Sequence, residues 1–104
     1  GRYDSLAPAA LIFLKNVCDS CRDAGTQLTV CGEMAGDPVA AMALLGLGYD
    51  RLSMTAVSVG PVKAMVRSLP LEDLMAYQDR MLHSSAPSIR RYLQGFARDH
   101  GVEV

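Results

Sequence analysis

Two short β-prone runs, each set between helical segments, constrain the fold of this chain more than any other feature of its sequence. The first covers residues 27–31 and ends abruptly at Gly32, and the second covers residues 51–54. Helical patterns precede, separate and follow these runs, so the predicted order of elements is αβαβα. Strands joined by a helix pair in parallel through a right-handed crossover, and a parallel sheet of two strands is not self-sufficient. The sequence therefore predicts part of a larger α/β fold.

The helix before the first run is predicted over residues 7–24. Pro8 lies in its first turn, Gly25 ends it, and apolar residues recur at the spacing of one helical face. That face comprises Ala10, Phe13, Leu14, Val17, Cys18 and Cys21. The Cys-x-x-Cys spacing suggests a redox pair or half of a zinc site, but it lies near a helix C-terminus and no second ligand pair accompanies it. We favour packing of both cysteines on the apolar face.

The helix between the two runs begins at an Asp-Pro pair. Asp37 is the predicted N-cap and Pro38 the first helical residue. The following residues are apolar all round, which predicts a largely buried helix that ends at Gly46 and Gly48.

Three helices are predicted after the second run. The first covers residues 58–68, with Pro61 near its start, and two amphipathic helices follow over residues 71–83 and 87–100. The apolar positions predicted for the last two are Leu71, Leu74, Met75 and Leu82, then Ile89, Leu93, Phe96 and Ala97. We expect these two helices to form a closing cap or a contact surface.

Composition excludes several classes of protein. The chain has 104 residues, a net charge of −1 and 50% hydrophobic residues, which disfavours nucleic-acid binding and disorder. Its longest nearly unbroken apolar stretch, residues 39–47, is too short to cross a bilayer. An odd count of three cysteines argues against a secreted disulfide scaffold, and the chain begins without Met or a signal sequence. We expect an excerpt of a cytoplasmic protein.

Residues 30–38 are the most unusual stretch, because they place a thiol, two carboxylates and two glycines between a strand and a helix. In parallel α/β folds this turn lies at the carboxyl end of the sheet, where catalytic groups gather. Cys31 is therefore well placed for reactivity. The alternatives are that Cys31 is a small buried hydrophobe, Glu33 a solvated carboxylate and Asp37 only a helix cap.

This nine-residue stretch, together with residues 44–48 (Leu-Leu-Gly-Leu-Gly) and 52–54 (Leu-Ser-Met), closely resembles the C-terminal end of the enzyme I family. These are the phosphoenolpyruvate-protein phosphotransferases of bacterial phosphotransferase systems. The resemblance implies that residues 1–104 are a C-terminal fragment of a (β/α)8 TIM-type barrel that binds phosphoenolpyruvate. Residues 7–69 would be its last βα units and residues 70–101 its C-terminal helices. Tyr3-Asp4 and Gly48-Tyr49 lean towards the nitrogen-related branch over the sugar-transport branch.

The resemblance also implies an activity. In this family a histidine on another domain takes the phosphoryl group of phosphoenolpyruvate and passes it to a histidine-containing phosphocarrier protein. The motif cysteine, Cys31 here, protonates C3 of the enolate to give pyruvate, and an ordinary thiol keeps its proton at pH 7. Gly32 and Glu33 are expected to contribute contacts to the substrate.

Other family roles have no counterpart in this sequence. The phosphorylated histidine, the arginines that bind the phosphate and the ligands of Mg²⁺ belong to earlier parts of the family's chain, so no metal ligand is assigned here. His83 and His100 are expected at the surface. The family dimerises through its barrel domain, and a homodimer contact through Leu74, Leu82, Leu93 and Phe96 is expected.

Two alternatives stay open. Pyruvate phosphate dikinases and phosphoenolpyruvate synthases carry a similar Cys-Gly motif, although Met34-Ala35 and the two further helices favour enzyme I. The chain would alternatively be a dimerisation module without catalysis. In either case we expect the isolated fragment to be inactive.

Overall fold

Six helices and two short strands make up residues 6–104, the part of the chain that the computed structural model describes. The result is a mostly helical α/β domain. In chain order the elements are α1 (Pro8–Asp23), β1 (Val30–Cys31), α2 (Glu33–Gly36), α3 (Pro38–Leu47), β2 (Leu52–Ser53), α4 (Ala56–Arg67), α5 (Leu71–Leu82) and α6 (Arg90–His100). None of the helices in this part of the chain is both long and apolar enough to span a membrane.

The two strands pair in parallel, as the alternation of helices and strands predicts. Val30 lies opposite Leu52 and Cys31 opposite Ser53, and the Val30 amide donates to the Arg51 carbonyl at 3.0 Å. Each strand has two residues, so the predictions of 27–31 and 51–54 were too long. Strand geometry persists only where a partner backbone completes the ladder, and over residues 6–104 this sheet has two strands.

Helix α3 is the centre of the domain and packs against α1, α4, α5 and α6. Eight of its ten residues are buried, which confirms the prediction from its all-apolar sequence. Its predicted start is also confirmed, with Asp37 capping and Pro38 at the first position. Gly48, at φ 111°, ends the helix, whereas Gly46 lies inside it and is buried. The prediction that Gly46 helps to end the helix was therefore wrong.

Several helical boundaries differ from the predictions, among them the start of α6, which begins at Arg90 instead of residue 87. Residues 33–36 form the single turn α2, where a turn without helix was expected, and α4 begins at Ala56 instead of residue 58. Pro61 consequently lies inside α4 and removes one backbone hydrogen bond. The residue whose carbonyl would have accepted that bond, Val57, is 84% exposed, so the interruption falls on an open face of the helix.

The buried faces of α1 and α5 are rotated relative to the predictions. Phe13 is 63% exposed and Leu11 is fully buried in its place, while Cys18 is buried as predicted. In α5, Leu71 and Met75 are exposed and the polar residue Gln78 is buried. Periodicity finds the apolar stripe, but the helices packed on it decide which part of the stripe is covered.

Helix α6 confirms its predicted core residues, since Ile89, Leu93, Phe96 and Ala97 are all buried. Burial also corrects the expected dimer contact. Leu74, Leu82, Leu93 and Phe96 are each at most 5% exposed and belong to the core of this chain. These four side chains are therefore unavailable to a second subunit.

Unfolding should become easier at alkaline pH, because burial raises the pKa of the Cys18 thiol and of the Tyr49 phenol. A raised folded-state pKa contributes stability below the unfolded-state value, and this contribution is lost as pH rises through the folded-state pKa. We expect urea denaturation to show lower stability at about pH 10 than at pH 7.

Tyr49→Phe isolates the phenol's part of this effect. The Tyr49 hydroxyl donates to the Leu14 carbonyl at 2.6 Å, so its loss should cost about 1 kcal/mol at pH 7 and flatten the alkaline decline. Tyr92→Phe, at an exposed site, is the control and should change neither quantity. An equally steep decline in Tyr49→Phe would contradict a contribution from Tyr49.

Candidate functional site

An open cleft of about 560 Å³ lies at the carboxyl ends of β1 and β2. It is lined by the last residue of each strand and by residues of the turns and helices that follow, namely Cys31, Gly32, Glu33, Gly36, Asp37, Ser53, Met54, Thr55 and Ser58. The predicted motif at residues 30–38 and the end of the second β-prone run thus meet at one place. This is the edge of a parallel sheet at which ligands commonly bind.

Cys31 is the last residue of β1, and its side chain is exposed. Its register partner Ser53 is the last residue of β2 and is exposed as well. Parallel pairing therefore places a thiol and a hydroxyl side by side in the lining of the cleft. The alternative of a buried, purely structural cysteine is wrong for this position.

Gly32 turns the backbone sharply after Cys31, with φ 101° and ψ −164°. Residues with a side chain rarely adopt this φ. The position where a Cβ would stand has no atom within 4 Å, so the backbone here borders open space. Glu33 follows as the first residue of α2 and is exposed. Both Gly32 and Glu33 line the cleft. Their expected contacts with the substrate stay predictions.

Gly36 allows α2 to lie close to α4. A Cβ at this position would stand 2.9 Å from the Ser58 Oγ and 3.3 Å from the Ser58 Cβ. The Ser58 hydroxyl is also 3.3 Å from the Thr55 hydroxyl. Ser53, Thr55 and Ser58 therefore bring three hydroxyl groups to the same cleft as the motif.

These hydroxyl groups were missed by the sequence analysis. Ser53, Thr55 and Ser58 sit at and just after the carboxyl end of the second β-prone run. The rule that placed Cys31 at the ligand-binding edge applies equally to this run.

Asp37 is more than a helix cap. Its Oδ1 accepts a hydrogen bond from the Val39 amide at 3.3 Å, as an N-cap does. Its Oδ2 lies 3.1 Å from the Arg90 Nη1, which belongs to the first residue of α6. The C-terminal part of the chain therefore touches the wall of the cleft, and Arg90 was not predicted to have this role.

The other titratable candidates lie outside the cleft. His83 and His100 are exposed, as expected, and each ring Nδ1 is hydrogen-bonded to a backbone carbonyl of its own helix. Cys18 is buried and Cys21 half-buried, and both border a different cavity beside Tyr49. Within residues 6–104, no group of three or more His, Cys, Asp or Glu side chains could hold a metal ion.

Comparison with known proteins gives one matching family and several curated relatives. The family described as "PEP-utilising enzyme, PEP-binding domain" matches residues 1–71, where PEP is phosphoenolpyruvate. A Salmonella typhimurium protein named "Phosphoenolpyruvate-dependent phosphotransferase system" is 39% identical over 101 residues, which are 96% of this chain and 14% of the relative.

Two further relatives are named "Phosphoenolpyruvate-protein phosphotransferase". The Haemophilus influenzae protein is 32% identical over 96% of this chain and 18% of its own length. The Bacillus sp. protein is 38% identical over 77% of this chain and 14% of its own length. The chain thus spans less than a fifth of the length of these relatives.

Proposed function

The chain belongs to the family of PEP-utilising enzymes, and from this premise we propose that it is the C-terminal part of a phosphoenolpyruvate-protein phosphotransferase. The complete enzyme would move the phosphoryl group of phosphoenolpyruvate to a histidine and then to a histidine-containing phosphocarrier protein, releasing pyruvate. The names of the relatives support this activity over that of a dikinase or synthase.

One observation carries the proposal: an exposed cysteine ends a parallel strand and faces an open cleft within the region that matches the family. Cleavage of the phosphorus–oxygen bond transfers the phosphoryl group to a histidine nitrogen and leaves the enolate of pyruvate. The Cys31 thiol then donates its proton to C3, a carbon–hydrogen bond forms, and the enolate oxygen becomes the ketone oxygen of pyruvate. The resulting thiolate is reprotonated by solvent.

The shape of the cleft allows the enolate of pyruvate to bind beside the Cys31 thiol. Gly32 leaves open space beside Cys31, and the hydroxyl of Ser53 lies in the adjacent strand position. A thiol donor needs direct reach to the carbon that it protonates, and Cys31 lines the open cleft in which the substrate would lie. Gly32 and Glu33 would contact the substrate from the same turn.

We also propose that β1 and β2 are the last two strands of a (β/α)8 barrel. A site at the carboxyl ends of parallel strands is the arrangement that such barrels use, and a barrel takes roughly 250 residues. The two-stranded sheet of this chain would then be completed by the remainder of the enzyme.

Magnesium does not fit the residues described. Glu33 and Asp37 bring two carboxylates to the cleft, but one oxygen of Asp37 is paired with Arg90 and the other caps α3. Mg²⁺ prefers octahedral oxygen coordination, for which this set is too small. Any Mg²⁺ of the complete enzyme would be held by residues elsewhere, together with the phosphate-binding groups.

We further propose that the enzyme acts in the cytoplasm as a homodimer, in sugar transport or nitrogen regulation.

The isolated chain should not release pyruvate from phosphoenolpyruvate, because phosphate-binding and metal-binding groups would be missing. Purified residues 1–104 are incubated with phosphoenolpyruvate, Mg²⁺ and lactate dehydrogenase, which reports pyruvate as oxidation of NADH. We expect no rate above the protein-free blank.

The full-length enzyme is the matched control in the same assay. It should form pyruvate in proportion to the histidine phosphocarrier supplied, without added nucleotide. Pyruvate from the isolated chain would contradict the assignment of the missing groups to other domains. A requirement of the full-length enzyme for a nucleotide would instead identify a dikinase or synthase.

A further inference from the structure

The contact between Asp37 and Arg90 joins residues 53 positions apart in the sequence. Both side chains are partly buried, with 40% and 36% exposure, so the ion pair is shielded from solvent on one side. One carboxylate oxygen of Asp37 is bound to Arg90 while the other holds the first turn of α3. The guanidinium therefore fixes the orientation of a side chain that lines the Cys31 cleft.

A second contact fixes the far part of α3 to the C-terminal helices. Gln78 of α5 is 1% exposed, and its Nε2 donates to the Ala43 carbonyl at 2.8 Å. Gly46 leaves room for this side chain, since a Cβ there would collide with the Gln78 amide. With Arg90 at its start and Gln78 in its second half, α3 has little freedom to shift along or about its axis.

Movement of α3 would move the motif, because only Asp37 separates α2 from α3. Helix α2 directly follows Gly32 and Cys31, so the turn that carries the thiol is anchored at one end by β1 and at the other by Asp37. A displacement of about 1 Å at a reacting group can lower the reaction rate substantially.

We propose that Arg90 is a positioning residue for proton donation by Cys31, acting through the carboxylate of Asp37. The inference rests on the proposed function for its kinetic readout. It assigns to the C-terminal helices a role in the geometry of the cleft, beyond closing the core.

The test uses the full-length enzyme with Arg90→Ala, Arg90→Lys and Asp37→Asn, the last of which keeps a good N-cap but loses the charge. Lys15→Ala is the matched control, because it breaks a 2.9 Å ion pair with Asp19 on α1, away from the cleft. Arg90→Ala should lower kcat for pyruvate formation about tenfold with an unchanged KM for phosphoenolpyruvate. Arg90→Lys should recover most of that loss, and Lys15→Ala should leave kcat unchanged.

Two further measurements separate positioning from general stability and from failure of the proposed function. The double variant Asp37→Asn/Arg90→Ala should lose no more than the larger single loss, since either single variant already removes the charge pairing between the two side chains. Amide hydrogen exchange over residues 32–43 should be faster in Arg90→Ala than in Lys15→Ala, and this readout needs no activity.

Unchanged exchange over residues 32–43 in Arg90→Ala, or a kcat equal to that of Lys15→Ala, overturns the positioning role. An inactive wild-type enzyme with faster exchange in Arg90→Ala overturns the proposed function but supports the structural link from Arg90 to the motif. Additive losses in the double variant also overturn the inference.

Discussion

Cys31→Ala in the full-length enzyme is expected to lower the rate of pyruvate formation by about 10²–10⁴-fold while the phosphoryl group still reaches histidine. The two half-reactions have different needs. Phosphoryl transfer breaks a phosphorus–oxygen bond and requires no proton on carbon, whereas completion of pyruvate requires a proton at C3. Loss of the thiol at the cleft therefore removes the donor for the second half-reaction only.

Rapid-quench kinetics measures the two half-reactions separately. Phosphohistidine is followed with phosphoenolpyruvate labelled in the phosphoryl group, and pyruvate is followed in the same samples. Cys21→Ala is the control, since Cys21 is a half-buried cysteine that borders a different cavity. The Cys21→Ala variant should have the same rates as the wild type in both half-reactions. Equal slowing of the two half-reactions in Cys31→Ala would contradict a general-acid role.

Gly46→Ala is expected to destabilise the domain by about 1–3 kcal/mol, although alanine is the better helix former. Gly46 lies in the last turn of the buried helix α3, and a Cβ there would overlap the Gln78 Oε1 and stand 2.8 Å from the Gln78 Cδ. The amide cannot retreat without giving up its hydrogen bond to the Ala43 carbonyl. Overpacking therefore outweighs helix propensity at this position.

Gly95→Ala is the matched control, because Gly95 lies inside α6 and a Cβ there would stand 3.7 Å from the Arg98 Nη2, which is ordinary van der Waals contact. It should stabilise the domain by up to about 1 kcal/mol. The variant Gly46→Ala/Gln78→Ala removes the Gln78 amide with which the new Cβ collides, so its loss should be smaller than the sum of the two single losses. Urea denaturation followed by circular dichroism measures all four variants. Additive losses, or a Gly46→Ala variant as stable as the wild type, would contradict the close packing of α5 on α3.

The sequence predicts those parts of the fold that local signals determine. The Asp37-Pro38 start of α3, its burial and the parallel order of the strands all follow from neighbouring residues. The rotation of α1, which exposes Phe13, depends on how α3 and α5 pack against it. No local pattern carries that information.

The candidate site divides in the same way. Cys31 was placed at the cleft because it follows a β-prone run, a local signal combined with a rule about parallel sheets. The sequence does not predict Arg90 at the cleft, because its contact with Asp37 depends on how α6 packs on α3. Gln78 is a similar case, since a polar residue on an amphipathic helix is predicted to face solvent unless its buried acceptor is known. The barrel and the substrate contacts of Gly32 and Glu33 stay predictions.

The stereochemistry of proton delivery tests the central claim, that Cys31 protonates the enolate, most directly. Phosphoenolpyruvate with one deuterium at a defined C3 position is converted by the full-length enzyme in tritiated water, and the configuration of the resulting methyl group is determined. A thiol fixed at one face of the enolate should give a single configuration with the wild type, and Cys31→Ala should give a racemic methyl group. The same single configuration in both proteins would show that another group delivers the proton.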